Sequence, residues 1–321
     1  MSRLLRYEVT MEYRELGQTG LRVSVVGYGT APLGDGFAVN DEQAALQSAY
    51  RALDLGINFV DSSPYYGNRL AEERLGKVLR GRRDEVIVAT KAGRYGHTEF
   101  DFSADRTRRS IEESLRLLGT DYVDILQLHD VDWVDLEGPL GEGYEELIRL
   151  RDAGLCRFIG MTGYATAMTQ RVITERDLDV TLSFAHCTLL DDCLATEVLP
   201  LAKQRGVGVI NASAVALGLL TEGGPLPYLA SGFGEEICAA ARRAVDACRD
   251  HGADISFLAN QYSIQRSGCA TTLIGTAKER HVDSAVRTAE EPIDEELLAA
   301  VLDAIGSVRG RHWTPWPPQM S

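Results

Sequence analysis

Residues 56–76 read G-I-N-F-V-D-S-S-P-Y-Y-G-N-R-L-A-E-E-R-L-G. A short apolar strand at 57–60 ends on Asp61, a turn of Ser62, Ser63 and Pro64 follows, and Tyr65 and Tyr66 precede a helix expected at 69–79. A carboxylate at the end of a buried strand is costly unless it is paired or hydrogen-bonded. The same pattern recurs twice: strand 86–90 ends on Lys91, and strand 122–128 on His129. Three titratable residues at the tips of three strands, with Tyr66 beside them, point to one face of a barrel.

Outward from that stretch the chain alternates. Segments 13–16 and 21–24 flank a glycine-bearing turn, the pattern of a β-hairpin. A buried strand at 25–29 precedes a loop at 30–34 and a helix at 42–55, which Asp41 can cap. Helix 104–118, capped by Ser103, follows the strand at 86–90, and helix 143–153 follows the one at 122–128. Strands at 156–161, 180–185 and 207–211 alternate with helices at 165–174 and 192–204. A glycine-rich loop at 217–234 leads to helices at 235–251 and 256–264, a last strand at 271–274, and helices at 278–288 and 295–307. Eight strands, each followed by a helix, predict an α/β (β/α)8 TIM barrel. A doubly wound sheet fits less well, since no G-x-G-x-x-G follows a strand. One domain is expected over 1–321, with 1–11 a flexible extension and the Trp- and Pro-rich 309–321 a tail over the barrel.

The composition, 45% hydrophobic in 321 residues, is that of an ordinary globular protein. A net charge of −14 repels phosphate backbones, so nucleic acid is not an expected partner. Six scattered cysteines without a C-x-x-C pair read as reduced thiols rather than disulfides. No secretory signal opens the chain, and no segment reaches the ~20 apolar residues that span a membrane. These features predict a cytoplasmic protein; a small-molecule substrate and a monomer or homodimer are further expectations that composition does not itself supply.

Asp61, Tyr66, Lys91 and His129 make chemical sense together. Free tyrosine, with a pKa of about 10, is a poor base near neutrality. A neighbouring ammonium favours the phenolate, and an aspartate holds the ammonium. Lowering the tyrosine by about 3 units requires about 4 kcal/mol of differential stabilisation. With histidine orienting a substrate oxygen, the set suits proton transfer to or from an oxygen on carbon, half of a hydride-transfer reaction. Taken singly, Lys91 reads equally well as a strand-end cation and His129 as a satisfied loop histidine.

The run D-S-S-P-Y-Y-G with its later L-G, together with A-T-K and L-Q-L-H-D, resembles the aldo-keto reductases over essentially the whole chain. The resemblance places the family's catalytic tetrad on Asp61, Tyr66, Lys91 and His129 and implies that the N-terminal β-hairpin closes the barrel bottom. G-Y-G-T-A-P-L-G, T-K-A-G-R-Y-G, F-D-F-S-A-D-R and L-G-L-L-T-E-G-G-P resemble its branch of L-galactose and L-fucose (D-threo-aldose) 1-dehydrogenases, with pyridoxal 4-dehydrogenases close by. That implies oxidation of an aldose C1 hydroxyl, of the L-galactose, L-fucose or D-arabinose type, to the lactone. Tyr66 is then the base. An NADPH-dependent aldehyde or pyridoxal oxidoreductase is the alternative. A non-catalytic nicotinamide-sensing regulatory subunit is a second.

By the same resemblance the dinucleotide lies along Thr30, Asp61, Thr162, Ser183, Ser213, Leu217, Gly275, Thr276, Lys278 and Arg280, with the helix at 278–288 pointing its N-terminus at phosphate. Two positions depart from the common pattern. Ala212 replaces a tyrosine that stacks on the nicotinamide, and the end of the strand at 180–185 lacks a glutamine; Phe184 or a loop residue is the candidate stacking group. The slots that hold a lysine and an arginine in NADP-specific relatives are Gly275 and His281 here, with the acid Glu279 nearby. NAD is therefore the expected cofactor and NADP the alternative, through Lys278 and Arg280. Tyr66, His129, Tyr95 and Trp133 are candidate substrate contacts, with His97, Asp130, Trp313 and Trp316 also able to line a sugar pocket. No metal-ligand spacing is visible.

Overall fold

The hydrophobic alternation resolves into eight parallel strands closed on themselves. The computed structural model describes residues 11–35, 41–225 and 233–311. The barrel strands are β3 (Val26–Gly29), β4 (Phe59–Asp61), β5 (Ile87–Ala92), β6 (Val123–Leu128), β7 (Cys156–Gly163), β8 (Val180–Phe184), β9 (Gly208–Ala212) and β10 (Thr271–Gly275), with β10 pairing β3 to close the ring. Around them run α1 (Glu42–Asp54), α2 (Leu70–Leu79), α3 (Ala104–Leu118), α4 (Tyr144–Asp152), α5 (Thr166–Glu175) and α6 (Leu199–Arg205). Four more follow: α7 (Glu235–Asp250), α8 (Ile255–Gln265), α9 (Glu279–Glu290) and α10 (Glu295–Ile305). This is the expected (β/α)8 barrel.

The hairpin, β1 (Tyr13–Glu15) with β2 (Arg22–Ser24), plugs the end where the strands begin. Leu16, Leu21 and Val23 are buried in one cluster with the barrel-interior residues Phe59, Ala89, Ile125, Val180, Leu182 and Ile210. Gln18 N–H donates to Gly206 O, just before β9, and Asn58, just before β4, bonds Ser24 and Arg22.

The helix expected at 192–204 is shorter than its sequence pattern: a wide π-type turn at Leu194–Val198 takes up its first part, ahead of α6, where Pro200 lacks the N–H that an α-helix interior needs. The helix expected at 143–153 is α4, preceded by a second π-type turn at Pro139–Gly143 in the expected loop. β5 runs past its predicted end at 90, so Lys91 lies within the strand. Asp41 and Ser103 cap α1 and α3 as expected, accepting from Ala44 N–H and Arg106 N–H.

Strand alternation decides what reaches the mouth. Phe59, Ala89, Ile125, Leu182, Ile210 and Leu273 fill the interior. Two residues on along each strand, Asp61, Lys91, Gln127, Phe184, Ala212 and Gly275 share that inner face. Ser183 and Asn211 fall on the outer face.

All six cysteines are thiols, five of them buried. Among the described residues no helix is long and apolar enough to cross a membrane. The proposed extension at 1–11 lies outside the described residues except for Met11, as do 226–232 of the glycine-rich loop and both tail tryptophans. The described start of the tail docks on the loop after β8: Gly310 N–H donates to Leu190 O, and Arg309 pairs with Asp192.

Candidate active site

Lys91 is buried and its three donors are all engaged. Nζ is ion-paired with Asp61, donates to Ser62 O at 2.8 Å, and donates to Tyr66 Oη at 3.3 Å. Gln127 Nε2 donates to the second oxygen of Asp61 at 3.4 Å. Register explains the assembly, since β4 pairs with β5 and Lys91 lies directly opposite Gln127 on β6. His129 follows β6 and sets its ring edge-on to Tyr66, with centroids 5.8 Å apart. Asp61, Tyr66, Lys91 and His129 therefore form one cluster at the strand C-termini.

Tyr66 comes from a loop, and backbone contact holds that loop in place. A Cβ on Gly67, at φ +62°, would lie 2.0 Å from Gly34 O, and one on Gly34 would lie 2.4 Å from Tyr66 O. Only glycine permits both that approach and that dihedral. Arg69 then ties the loop to α2 and α3 through Glu72, Ser110, Ser114 and Glu113. Glu72 in turn accepts from Thr90, the residue before Lys91.

The electrostatics correct one expectation. Burial pushes the Tyr66 phenol up to about 12, against the pull of Lys91, and the charges on Asp61 and Asp130 push the same way. Lys91 does not outweigh these, so the resting group is the phenol rather than a poised phenolate. For Lys91 itself, burial favours the neutral amine, but Asp61 and Tyr66 outweigh it and raise the pKa; the ammonium persists. Burial, then the Lys91 and Arg94 charges, hold His129 well below its usual value, so its ring is neutral.

Around this cluster stands a wall centred on Arg94, which the sequence reading did not single out, although Asp130 and Trp133 were among its pocket candidates. Arg94 is buried, ion-paired with Asp130, and lies over the rings of Tyr65 (4.0 Å), Trp133 (4.5 Å) and Phe100 (5.3 Å). It thereby joins three loops that follow β4, β5 and β6. The signal was only K-A-G-R beside H-D, two short runs whose contact depends on strand register. His97 meets the edge of Trp133 at 6.3 Å. Tyr95 is placed differently: its hydroxyl accepts from Gly93 N–H and donates to Arg106 O, and the Arg106 guanidinium covers its ring at 3.6 Å. The contacts of Tyr95 thus run to α3, not to the tetrad.

Of the residues expected to hold a dinucleotide, Thr30 donates to Ser62 Oγ at 2.8 Å, and Thr162 Oγ1 accepts from Asp130 N–H at 2.9 Å. Ser213 and Leu217 carry left-handed dihedrals (φ +60° and +53°) in the loop after β9. Ser183 lies opposite Asn211, whose amide bonds Thr272 on the outer face. Thr276 accepts from Lys278 N–H and bonds His281 Nδ1, and Arg280 donates to His281 Nε2.

Ser183, turned to the outer face, does not reach the mouth as expected; the remaining residues suit an extended dinucleotide. The inner face of β9, β10 and β3 offers only Ala212, Gly275 and Gly29 opposite the polar cluster, and a Cβ on Gly275 would stand no closer than 3.5 Å to Pro32. No side chain larger than a methyl group stands on that face at these three positions. The first turn of α9 has no side-chain cap, and its free N–H groups suit a phosphate.

The C-terminal mouth of this parallel (β/α)8 barrel thus holds a phenol against a buried ammonium–carboxylate pair. The chain belongs to the aldo/keto reductase family, whose profile matches residues 25–305. It is 40% identical to the L-galactose dehydrogenase of Arabidopsis thaliana, over 94% of this chain and 97% of that one. It is 30% identical to the D-threo-aldose 1-dehydrogenase of a Pseudomonas species, over 89% and 95%. The holo-form structure of an aldo-keto reductase from Bacillus halodurans superposes with a TM-score of 0.76 at 27% identity, covering 92% of this chain and 96% of that one.

Proposed function

We propose that this protein oxidises the anomeric hydroxyl of an aldose of the L-galactose, L-fucose or D-arabinose type to the lactone, with NAD as hydride acceptor. The observation that carries the chemistry is the placement of Tyr66 Oη 3.3 Å from an ammonium that is itself fixed by Asp61. The choice of sugar rests on likeness to an L-galactose dehydrogenase and a D-threo-aldose 1-dehydrogenase along nearly the full chain.

When bound, the nicotinamide supplies the two-electron acceptor for the hydride on C1. The chain's own residues handle the proton and the orientation. Tyr66 Oη, in its ionised form, takes the hydroxyl proton as the C1–O bond gains carbonyl character. Lys91 stabilises the phenolate that accepts this proton, and Asp61 keeps Lys91 charged and aimed. His129, neutral, orients the same substrate oxygen by a hydrogen bond. Gly29, Ala212 and Gly275 leave room for the nicotinamide, Phe184 is the stacking ring, and the first turn of α9 receives phosphate. Thr30, Thr162, Ser213, Leu217, Thr276, Lys278 and Arg280 line its course, and Trp133 contributes an aromatic face to the sugar pocket. NAD is favoured over NADP because His281, which takes the place of a charged clamp, is pushed toward its neutral form by burial, Arg280 and Lys278.

The test is an NADH-formation screen over L-galactose, L-fucose, D-arabinose, D-galactose, D-glucose and pyridoxal, with NAD or NADP. A strong rate on one L-sugar with NAD bears the proposal out. Silence on the sugars with turnover of pyridoxal, or with NADPH-driven aldehyde reduction, replaces it by the alternative substrate class. Silence in both directions despite tight NADH binding replaces it by a regulatory role.

A further inference from the structure

His129 is buried and neutral. A neutral imidazole carries one proton, so one ring nitrogen donates and the other accepts. Nδ1 lies 2.9 Å from Ser63 Oγ, and Nε2 lies 3.6 Å from a carboxylate oxygen of Asp130. The Ser63 oxygen already accepts the Tyr65 N–H at 3.1 Å, and the acceptor within reach of its own proton is Nδ1. Buried hydroxyls give their proton to an acceptor where one is present. With Nδ1 accepting, the ring proton sits on Nε2 and faces the Asp130 carboxylate. The opposite tautomer would leave the Ser63 proton without an acceptor and set a bare nitrogen lone pair against that carboxylate.

We propose that Ser63 is a positioning residue: by donating to Nδ1 it fixes His129 as the Nε2–H tautomer, and so makes the histidine a hydrogen-bond donor to the substrate oxygen. The catalytic half of this statement rests on the proposed roles of Tyr66 and His129; the tautomer does not. The arrangement parallels the general rule that the partner of one ring nitrogen decides what the other can do. The sequence carries the residue in D-S-S-P-Y-Y-G, at the foot of the same loop that delivers Tyr66, so one turn sets both groups.

The experiment is nitrogen NMR on protein labelled at its six histidines, with the His129 signals assigned by their loss in His129→Asn. At pH 7 we expect an unprotonated Nδ1 and a protonated Nε2 in the unmodified protein. Ser63→Ala should mix the tautomers and lower kcat by about ten-fold, the factor set by one ordinary hydrogen bond. KM and NADH affinity should stay within about two-fold, and Ser63→Thr, which keeps the hydroxyl, should restore both tautomer and rate. A protonated Nδ1 in the unmodified protein overturns the proposal, and needs no variant to fold. So does Ser63→Ala with an unchanged tautomer, or with KM alone raised, which would make Ser63 a substrate contact. An Nε2–H tautomer in a protein that oxidises none of the sugars would sink the substrate reading while the assignment of Ser63 to the tautomer stands.

Discussion

Lys91 Nζ lies 3.3 Å from Tyr66 Oη, and the same ammonium is ion-paired with Asp61 and bonded to Ser62 O. The phenol is thus the one member of this chain of contacts that can exchange a proton with a ligand. Lys91 and Asp61 are buried beneath it.

Tyr66→Phe removes the exchanging proton and little volume. Turnover should fall by about 10²- to 10⁴-fold, the usual contribution of a positioned acid or base. NADH affinity, measured by fluorescence titration, should stay within a few-fold. Substantial residual turnover would take Tyr66 out of the proton transfer.

Lys91→Met leaves the Asp61 carboxylate buried beside an apolar chain. Breaking one side of a buried pair costs about 3–5 kcal/mol. The double variant Lys91→Met with Asp61→Asn should recover much of that stability in urea unfolding while remaining inactive. If the double variant were no more stable than the single, the ion pair would not be the source of the loss.

The pH dependence follows from the two directions of shift. With the Tyr66 phenol raised to about 12, it stays protonated from pH 6 to 9, and carbonyl reduction should show no tyrosine limb there. Sugar oxidation, which needs Oη to accept a proton, should keep rising through pH 10 without a plateau. His129, held well below its ordinary pKa, should add no limb between pH 6 and 8. Profiles of kcat/KM in both directions check this, and a limb near pH 7 that disappears with His129→Gln would contradict it.

Asp132 accepts from Tyr164 N–H and Ala165 N–H at the start of α5, and burial raises its carboxyl to about 6. The folded state holds this proton more tightly than the unfolded chain. Stability from this group is therefore greatest below about pH 4 and declines as pH rises through 6, by at most about 3 kcal/mol. Asp132→Asn should flatten that slope in urea unfolding midpoints at pH 4.5 and 7.5. Asp132→Ala should cost about 1 kcal/mol, the scale of a lost hydrogen bond.

His281→Arg places a permanent cation beside Lys278 and Arg280 where the neutral imidazole now bonds Thr276. The ratio of NADPH to NADH affinity should rise about ten-fold or more, the scale of a charge-assisted contact to phosphate. An unchanged ratio would mean that the adenosine end of the cofactor lies elsewhere.

The sequence by itself determined the barrel and the four residues at its mouth. Strand periodicity is local, and an acid, a lysine and a histidine at the ends of successive strands need only strand order to become neighbours. Tertiary structure decided what those residues are electrostatically. Lys91 was expected to lower the Tyr66 pKa, but the cost of burying the phenolate, reinforced by Asp61 and Asp130, exceeds one ammonium's attraction, and no local pattern encodes burial. It also decided partnership. Arg94 meets Asp130 because β5 and β6 pair in one register, and Ser63 meets His129 across 66 positions of sequence. Alternation likewise turned Ser183 to the outer face and Phe184 to the inner, a difference of one residue that propensity cannot see but a closed sheet enforces.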